Sequence, residues 1–233
     1  MFFFVCFSGP CLASPLNSNG FYTEISSGIT NIHDNFKLAF YDGKVLNNSN
    51  YNFSDEISKK NYANMDISLG YGNKLGPFYL AGKIEVDLNR RSTELKTNDF
   101  SYKSKQNNVF MPQLLLGYSP GQKVMVYGSF GFAWTTFHKK IDFISGGIYN
   151  TSGMLLNNVD ETISSYGPKA AVGIKYNIWR DLQVKLEFSH VSYRSGSIGL
   201  NDRTYNYSGF NPIGKYKFDT TTNEVSVGLN MPL

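Results

Sequence analysis

Cysteine is nearly missing from this chain of 233 residues: there are two, Cys6 and Cys11, and both sit in the first apolar stretch. The remainder therefore has no disulfide framework. Histidine is scarce as well, with only His33, His138 and His190, so a Cys/His transition-metal site has too few ligands. Past the N-terminal residues no run of about 18 apolar residues appears, which excludes a membrane protein built of helices. No glycine loop cradles a phosphate and no dinucleotide fingerprint occurs. The pair Asp160-Glu161 lacks the oxygen spacing of a known calcium loop. A net charge of +4 without a basic stripe or helix argues against nucleic acid as a partner. Neither a cofactor nor a bound metal is expected.

What the chain has is alternation. Eight stretches alternate apolar and polar residues, at about 21–32, 62–71, 78–89, 110–118, 124–134, 170–178, 182–193 and 220–233. Three of the joins between them are short, at 72–77, 119–123 and 177–181. The other four, at 33–61, 92–107, 139–165 and 195–219, run to roughly 15 to 30 residues, far beyond ordinary hairpin lengths. This rhythm predicts a single domain of all-β class: an eight-stranded antiparallel up-and-down transmembrane β-barrel with four long external loops and three short periplasmic turns.

The two faces of the strands differ in chemistry. In the second, Met65, Ile67, Leu69 and Tyr71 oppose Asn64, Asp66, Ser68 and Gly70; in the third, Phe78, Leu80, Ile84, Val86 and Leu88 oppose Tyr79, Lys83, Glu85, Asp87 and Asn89. Parity gathers Glu24, Asp66, Lys83, Glu85, Asp87, Lys175, Lys185 and Glu187 on the polar face. An interior of about eight strands is just wide enough for side chains, so these charges are expected to form a plug rather than line a channel. Pro112 has no N–H to give a ladder, which predicts a bulge or weak pairing there. Tyr71, Tyr118 and Tyr176 each precede a short turn, and with Phe78 and Trp179 they predict an interfacial aromatic girdle. Basic groups near Arg90-Arg91, Lys103-Lys105 and Lys139-Lys140 fall at strand tops or in loops, facing solvent or lipopolysaccharide phosphates. Periodicity alone does not say which face is inside, so a soluble lipocalin-like ligand-binding barrel stays open as an alternative. Loop asymmetry and aromatic placement favour the membrane.

The first 14 residues, a short apolar run followed by small residues, resemble the end of a secretory signal peptide. Cleavage after Ala13 divides the chain into a signal peptide, 1–13, and a barrel domain, 14–233. Tyr166-Gly-Pro-Lys-Ala-Ala-Val-Gly-Ile-Lys-Tyr-Asn-Ile-Trp-Arg-Asp-Leu-Gln-Val-Lys-Leu-Glu-Phe-Ser-His resembles the penultimate hairpin of the OmpA/OmpX-like outer membrane barrels, nearest to their surface-antigen type. Ser226-x-Gly228-x-x-Met231-x-Leu233 resembles the C-terminal signal read by the barrel assembly machinery, with Leu233 where such signals usually carry Phe or Trp. The resemblance implies a bacterial outer membrane location and a structural component, adhesin or surface antigen. It also implies partners: membrane lipids and lipopolysaccharide, the assembly machinery and periplasmic chaperones during biogenesis, and a host surface molecule.

One detail points to chemistry. His190-Val191-Ser192 resembles the His-x-Ser of outer membrane lipid A deacylases, in which a Ser nucleophile, a His base and an orienting Glu act together. Here Tyr193 stands where that family has Asn, and Glu224 falls on the opposite face from Val225. The favoured reading is a non-enzymatic surface protein whose long loops make host or envelope contacts. The deacylase-like hydrolase using His190 and Ser192 is the alternative.

Overall fold

Residues 19–42, 51–96, 100–120, 123–143, 158–179, 182–200 and 212–233 are described by the structure, a computed structural model. The expected cleavage point after Ala13 lies outside them, as do the tips of the four long connections. All described secondary structure is antiparallel β: β1 (Gly20–Asp42), β2 (Tyr51–Leu75), β3 (Phe78–Asp87), β4 (Arg91–Lys96), β5 (Phe100–Gln106), β6 (Val109–Tyr118), β7 (Val124–Phe143), β8 (Val159–Trp179), β9 (Leu182–Leu200) and β10 (Pro212–Pro232). Neighbours pair up and down, β1 with β2, β2 with β3, β3 with β6, β6 with β7, β7 with β8, β8 with β9 and β9 with β10. β10 pairs with β1 in turn, so the ladder returns to its first strand.

The eight expected stretches fall in strands to within two residues, but the described residues hold ten strands and most run further. The segment 92–107, expected as a loop, holds most of β4 and all of β5, which pair with each other while β5 also pairs with β7. The other three long connections shrink as β1, β2, β7, β8, β9 and β10 extend into them. At the first short join, Leu75 pairs with Phe78 across Gly76-Pro77. Gly76 has φ of +64°, a conformation that favours glycine, and Pro77 cannot follow it into positive φ; this combination fits a type II′ hairpin turn.

Alternation sorts the faces as expected. Glu24, Asp66, Lys83, Glu85, Asp87, Lys175, Lys185 and Glu187 are all buried, while Ile25, Met65, Ile67, Leu69, Ile84, Leu114, Leu116, Val172, Leu186 and Val227 are exposed. Pro112 behaves as its missing N–H dictates. The β6–β7 register places Phe110 opposite Trp134 and resumes only at Gln113 opposite Gly131, with no slip in between. A Cβ on Gly131 would run into the carbonyl oxygen of Pro112. Gly131→Val is therefore expected to cost on the order of 1–3 kcal/mol by overpacking. The loss would appear as a smaller fraction of heat-modifiable, folded protein. Gly82→Val, whose new Cβ meets nothing within 4 Å, should fold normally.

Candidate functional site

The inner faces of β1, β3, β8 and β9 converge on an ionic cluster. Lys83 Nζ lies 2.8 Å from Glu85, 3.6 Å from Glu187 and 3.7 Å from Glu24. Glu24 is reached by Lys185 at 2.5 Å and Lys175 at 2.9 Å, and Lys169 bonds Glu85. The Tyr127 hydroxyl donates to Glu187 at 2.6 Å, and the Lys175 ammonium stands over the Tyr22 ring at 4.9 Å. Four lysines and three glutamates thus neutralise one another nearly completely, and Tyr22, Ala81, Leu115, Met125 and Tyr127 pack below them. Buried charge is tolerable on these terms, because each carboxylate recovers in Coulomb and hydrogen-bond energy what it loses in hydration.

A second polar group lies further along. Asp34 accepts from Lys139 at 3.3 Å, from Thr220 at 2.8 Å and from the Tyr102 hydroxyl at 2.9 Å. The Lys139 ammonium sits 4.5 Å from the centre of the Phe218 ring. Burial pushes Lys139 below its ordinary range, a pull that Asp34 opposes, and pushes the Tyr102 phenol well above its own. Arg91 is buried too, and bonds Asp87. This corrects the placement of Arg91 and Lys139 among outward basic groups: both turn inward to a carboxylate. Arg90 remains exposed and Lys140 pairs with Asp142 at 2.8 Å. The same interior brings the carboxylates of Asp66, Asp87 and Glu224 within 4.8 Å of one another.

Outward, two aromatic levels bound the apolar surface. Near the short turns, Phe21 meets Tyr71 at 5.0 Å and Phe78 meets Tyr118 at 5.5 Å, with Tyr176 and Trp179 exposed on the same face. At the other level Phe110 stacks on Trp134 at 6.2 Å, and Trp134 is paired in register with Tyr166. From Val124 to Trp134 along β7 is about 33 Å at ~3.3 Å per residue, or about 25 Å in height for a strand tilted by about 40°. That matches the apolar band of an outer membrane barrel. Asp34, Tyr102 and Lys139 lie beyond it.

His190 and Ser192 fall on the outward face of β9, as parity required. The His190 ring nitrogen Nδ1 is 2.8 Å from the Asn223 side-chain oxygen, and Glu224 turns away to accept from Thr30 at 3.1 Å. No carboxylate among the described residues is bonded to His190.

The model of the outer membrane protein β-barrel domain family matches residues 32–231. No curated protein matches the chain. Among solved structures it is similar to the outer membrane protein OprG of Pseudomonas aeruginosa, at 14% identity over 94% of this chain and 100% of that one, with a TM-score of 0.49. It is similar also to Ail, the attachment invasion locus protein of Yersinia pestis, at 12% identity over 91% and 99% of the two chains, with a TM-score of 0.40. Neisserial surface protein A gives 10% identity over 92% and 97%, with a TM-score of 0.39.

Lys83 reaches all three glutamates of the ionic cluster, so its loss takes one cationic partner from each of them at once, while Lys169, Lys175 and Lys185 still balance their charge. Lys83→Met is expected to cost about 1.5–3 kcal/mol, the range for hydrogen bonds to charged groups, read as a lower urea midpoint for the protein unfolding from lipid vesicles. Lys140→Met, which removes only an exposed pair, should leave that midpoint nearly unchanged.

Proposed function

Since the chain belongs to the outer membrane protein β-barrel domain family and resides in the bacterial outer membrane, we propose that it works there as a non-enzymatic surface protein. In this reading β3 with β4, and β5 with β6, each form one interrupted stave, and with the six other strands they close a barrel of eight. Its outer rim and loops contact host or envelope molecules. The observation that carries the reading is the filled interior. Ion pairs and packed aromatic rings occupy the space a solute would need, so exchange with the surroundings is left to the outer end. Sheet continuing past the outer aromatic level supports it, because β7 and β8 themselves reach beyond the lipid zone into water.

Partners follow from position. Lipid and lipopolysaccharide meet the apolar band, the assembly machinery and periplasmic chaperones meet the chain before it folds, and a host surface molecule meets the loops. The test joins two measurements. In planar bilayers the protein is expected to show no porin-sized conductance steps. Replacing 144–157 and 201–211 by short Gly-Ser turns should abolish attachment of expressing cells to host cells while the heat-modifiable core persists. Large conductance, unchanged attachment, or an altered number of lipid A acyl chains on expression would each overturn the proposal.

A further inference from the structure

Carboxylates on the inner face come in two kinds. Glu24, Glu85, Glu187, Asp34 and Asp87 each lie within salt-bridge distance of a lysine or arginine. Asp66, which is buried, and Glu224, which is half-buried, form no salt bridge among the described residues, the Lys169 charge acting on them only from beyond that distance, and they are the two that crowd against Asp87. The β2–β3 register sets Asp66 directly opposite Asp87, both facing inward, an arrangement of like charges that is unfavourable even at a solvated sheet surface. Glu224 joins them from β10. One guanidinium, that of Arg91 on Asp87, stands against three carboxylates.

The neighbouring amide makes the imbalance specific. The Asn64 side-chain amide donates one of its two N–H groups to Asp66 Oδ2 at 2.8 Å, and two oxygens are left over. Asn64 Oδ1 and Asp66 Oδ1 are both buried with no hydrogen-bond partner, and each side chain belongs to a residue only 2% exposed. Buried acceptors of this kind are costly unless something positive reaches them. Gly28 lies against this amide: a Cβ there would run into the Val225 carbonyl oxygen and would come within 2.9 Å of Asn64 Oδ1. A single proton would neutralise one carboxylate and leave the amide oxygen unmet. One multivalent cation satisfies several oxygens at once.

We propose that Asp66, Asp87 and Glu224, with the Asn64 amide oxygen, bind a hard divalent cation of the Ca2+ or Mg2+ class inside the barrel. An all-oxygen donor set with this density of charge fits such an ion and offers nothing to softer metals. The site lies in the interior, apart from any role of the loops. Bound there, the cation ties β2, β3 and β10 together.

The test uses the full chain, unfolded in urea with EDTA and refolded into detergent with or without Ca2+ or Mg2+. After desalting, bound metal is measured by mass spectrometry and the melting midpoint by circular dichroism. About one ion per chain is expected, with a midpoint several degrees above that of protein refolded in EDTA. Asp66→Asn and Glu224→Gln should each lose the ion and the dependence on it, whereas Asp142→Asn, at an exposed pair, should keep both. Wild-type protein that retains no metal and melts identically in EDTA would overturn the proposal and leave protons as the neutralising species. Retention of the ion by Asp66→Asn would overturn it equally, by moving the site elsewhere. If neither interior variant folds, the metal content and EDTA response of the wild type still decide.

Discussion

Everything inside this protein answers to one constraint: a charge taken out of water must find its opposite within the walls. The penalty for a buried ion is several kcal/mol even after relaxation, and Glu24 meets it only because lysines from β3, β8 and β9 arrive together. None of those strands is its sequence neighbour. The network is satisfied when the ladder has closed with every strand in register. A slip by one residue would turn its charges out to lipid and bring leucines and isoleucines in. Ionic pairing here selects one arrangement of strands; the gain in stability over an apolar filling is small by comparison.

The outer surface obeys the complementary rule. Where lipid is the solvent, every second residue is apolar and the backbone is bonded within the ladder. Aromatic rings end that zone at both levels. Past the outer level the strands continue, but the solvent outside is water again, so both faces carry polar residues. In β4 the buried Arg91 and Thr93 alternate with Ser92 and Glu94, and in β5 the buried Tyr102, Ser104 and Gln106 alternate with Lys103 and Lys105.

That change of solvent explains what the sequence disclosed and what it withheld. Inside the lipid zone, apolar and polar residues alternate cleanly, so parity gathers Glu24, Asp66, Lys83, Glu85, Asp87, Lys175, Lys185 and Glu187 on one face, and loop asymmetry with aromatic placement turns that face inward. Above it, polar alternates with polar, and a strand such as Arg91–Lys96 reads like a loop. Asp34, Arg91 and Lys139 were hidden for that reason. Partner choice was hidden for another. Lys169 meets Glu85 across 84 positions of sequence, and only the order of strands around the ladder brings them together. The outer aromatic level was missed likewise, since Phe110, Trp134 and Tyr166 share a height only through register.

Register also governs the acidic cluster. The hairpin between β2 and β3 is closed by two residues, Gly76 and Pro77, and the pairing runs from Leu75 opposite Phe78 without a bulge to Asp66 opposite Asp87. A II′ turn of that length admits no adjustment, so the facing of these two aspartates is fixed at the turn, far from where the charge accumulates. The glutamate cluster next to it carries one lysine beyond its three acids, whereas Asp66, Asp87 and Glu224 have Arg91 in contact and Lys169 only beyond salt-bridge distance. The interior is thus nearly balanced as a whole and unbalanced locally. Coulomb energy falls off with distance and is strong where water is excluded, so a surplus lysine among the glutamates cannot stand in for a cation in contact with Asp66 and Glu224. A tight turn that forces two carboxylates together inside a dry wall creates a place where a small, highly charged ion is worth more than any side chain the neighbouring strands supply.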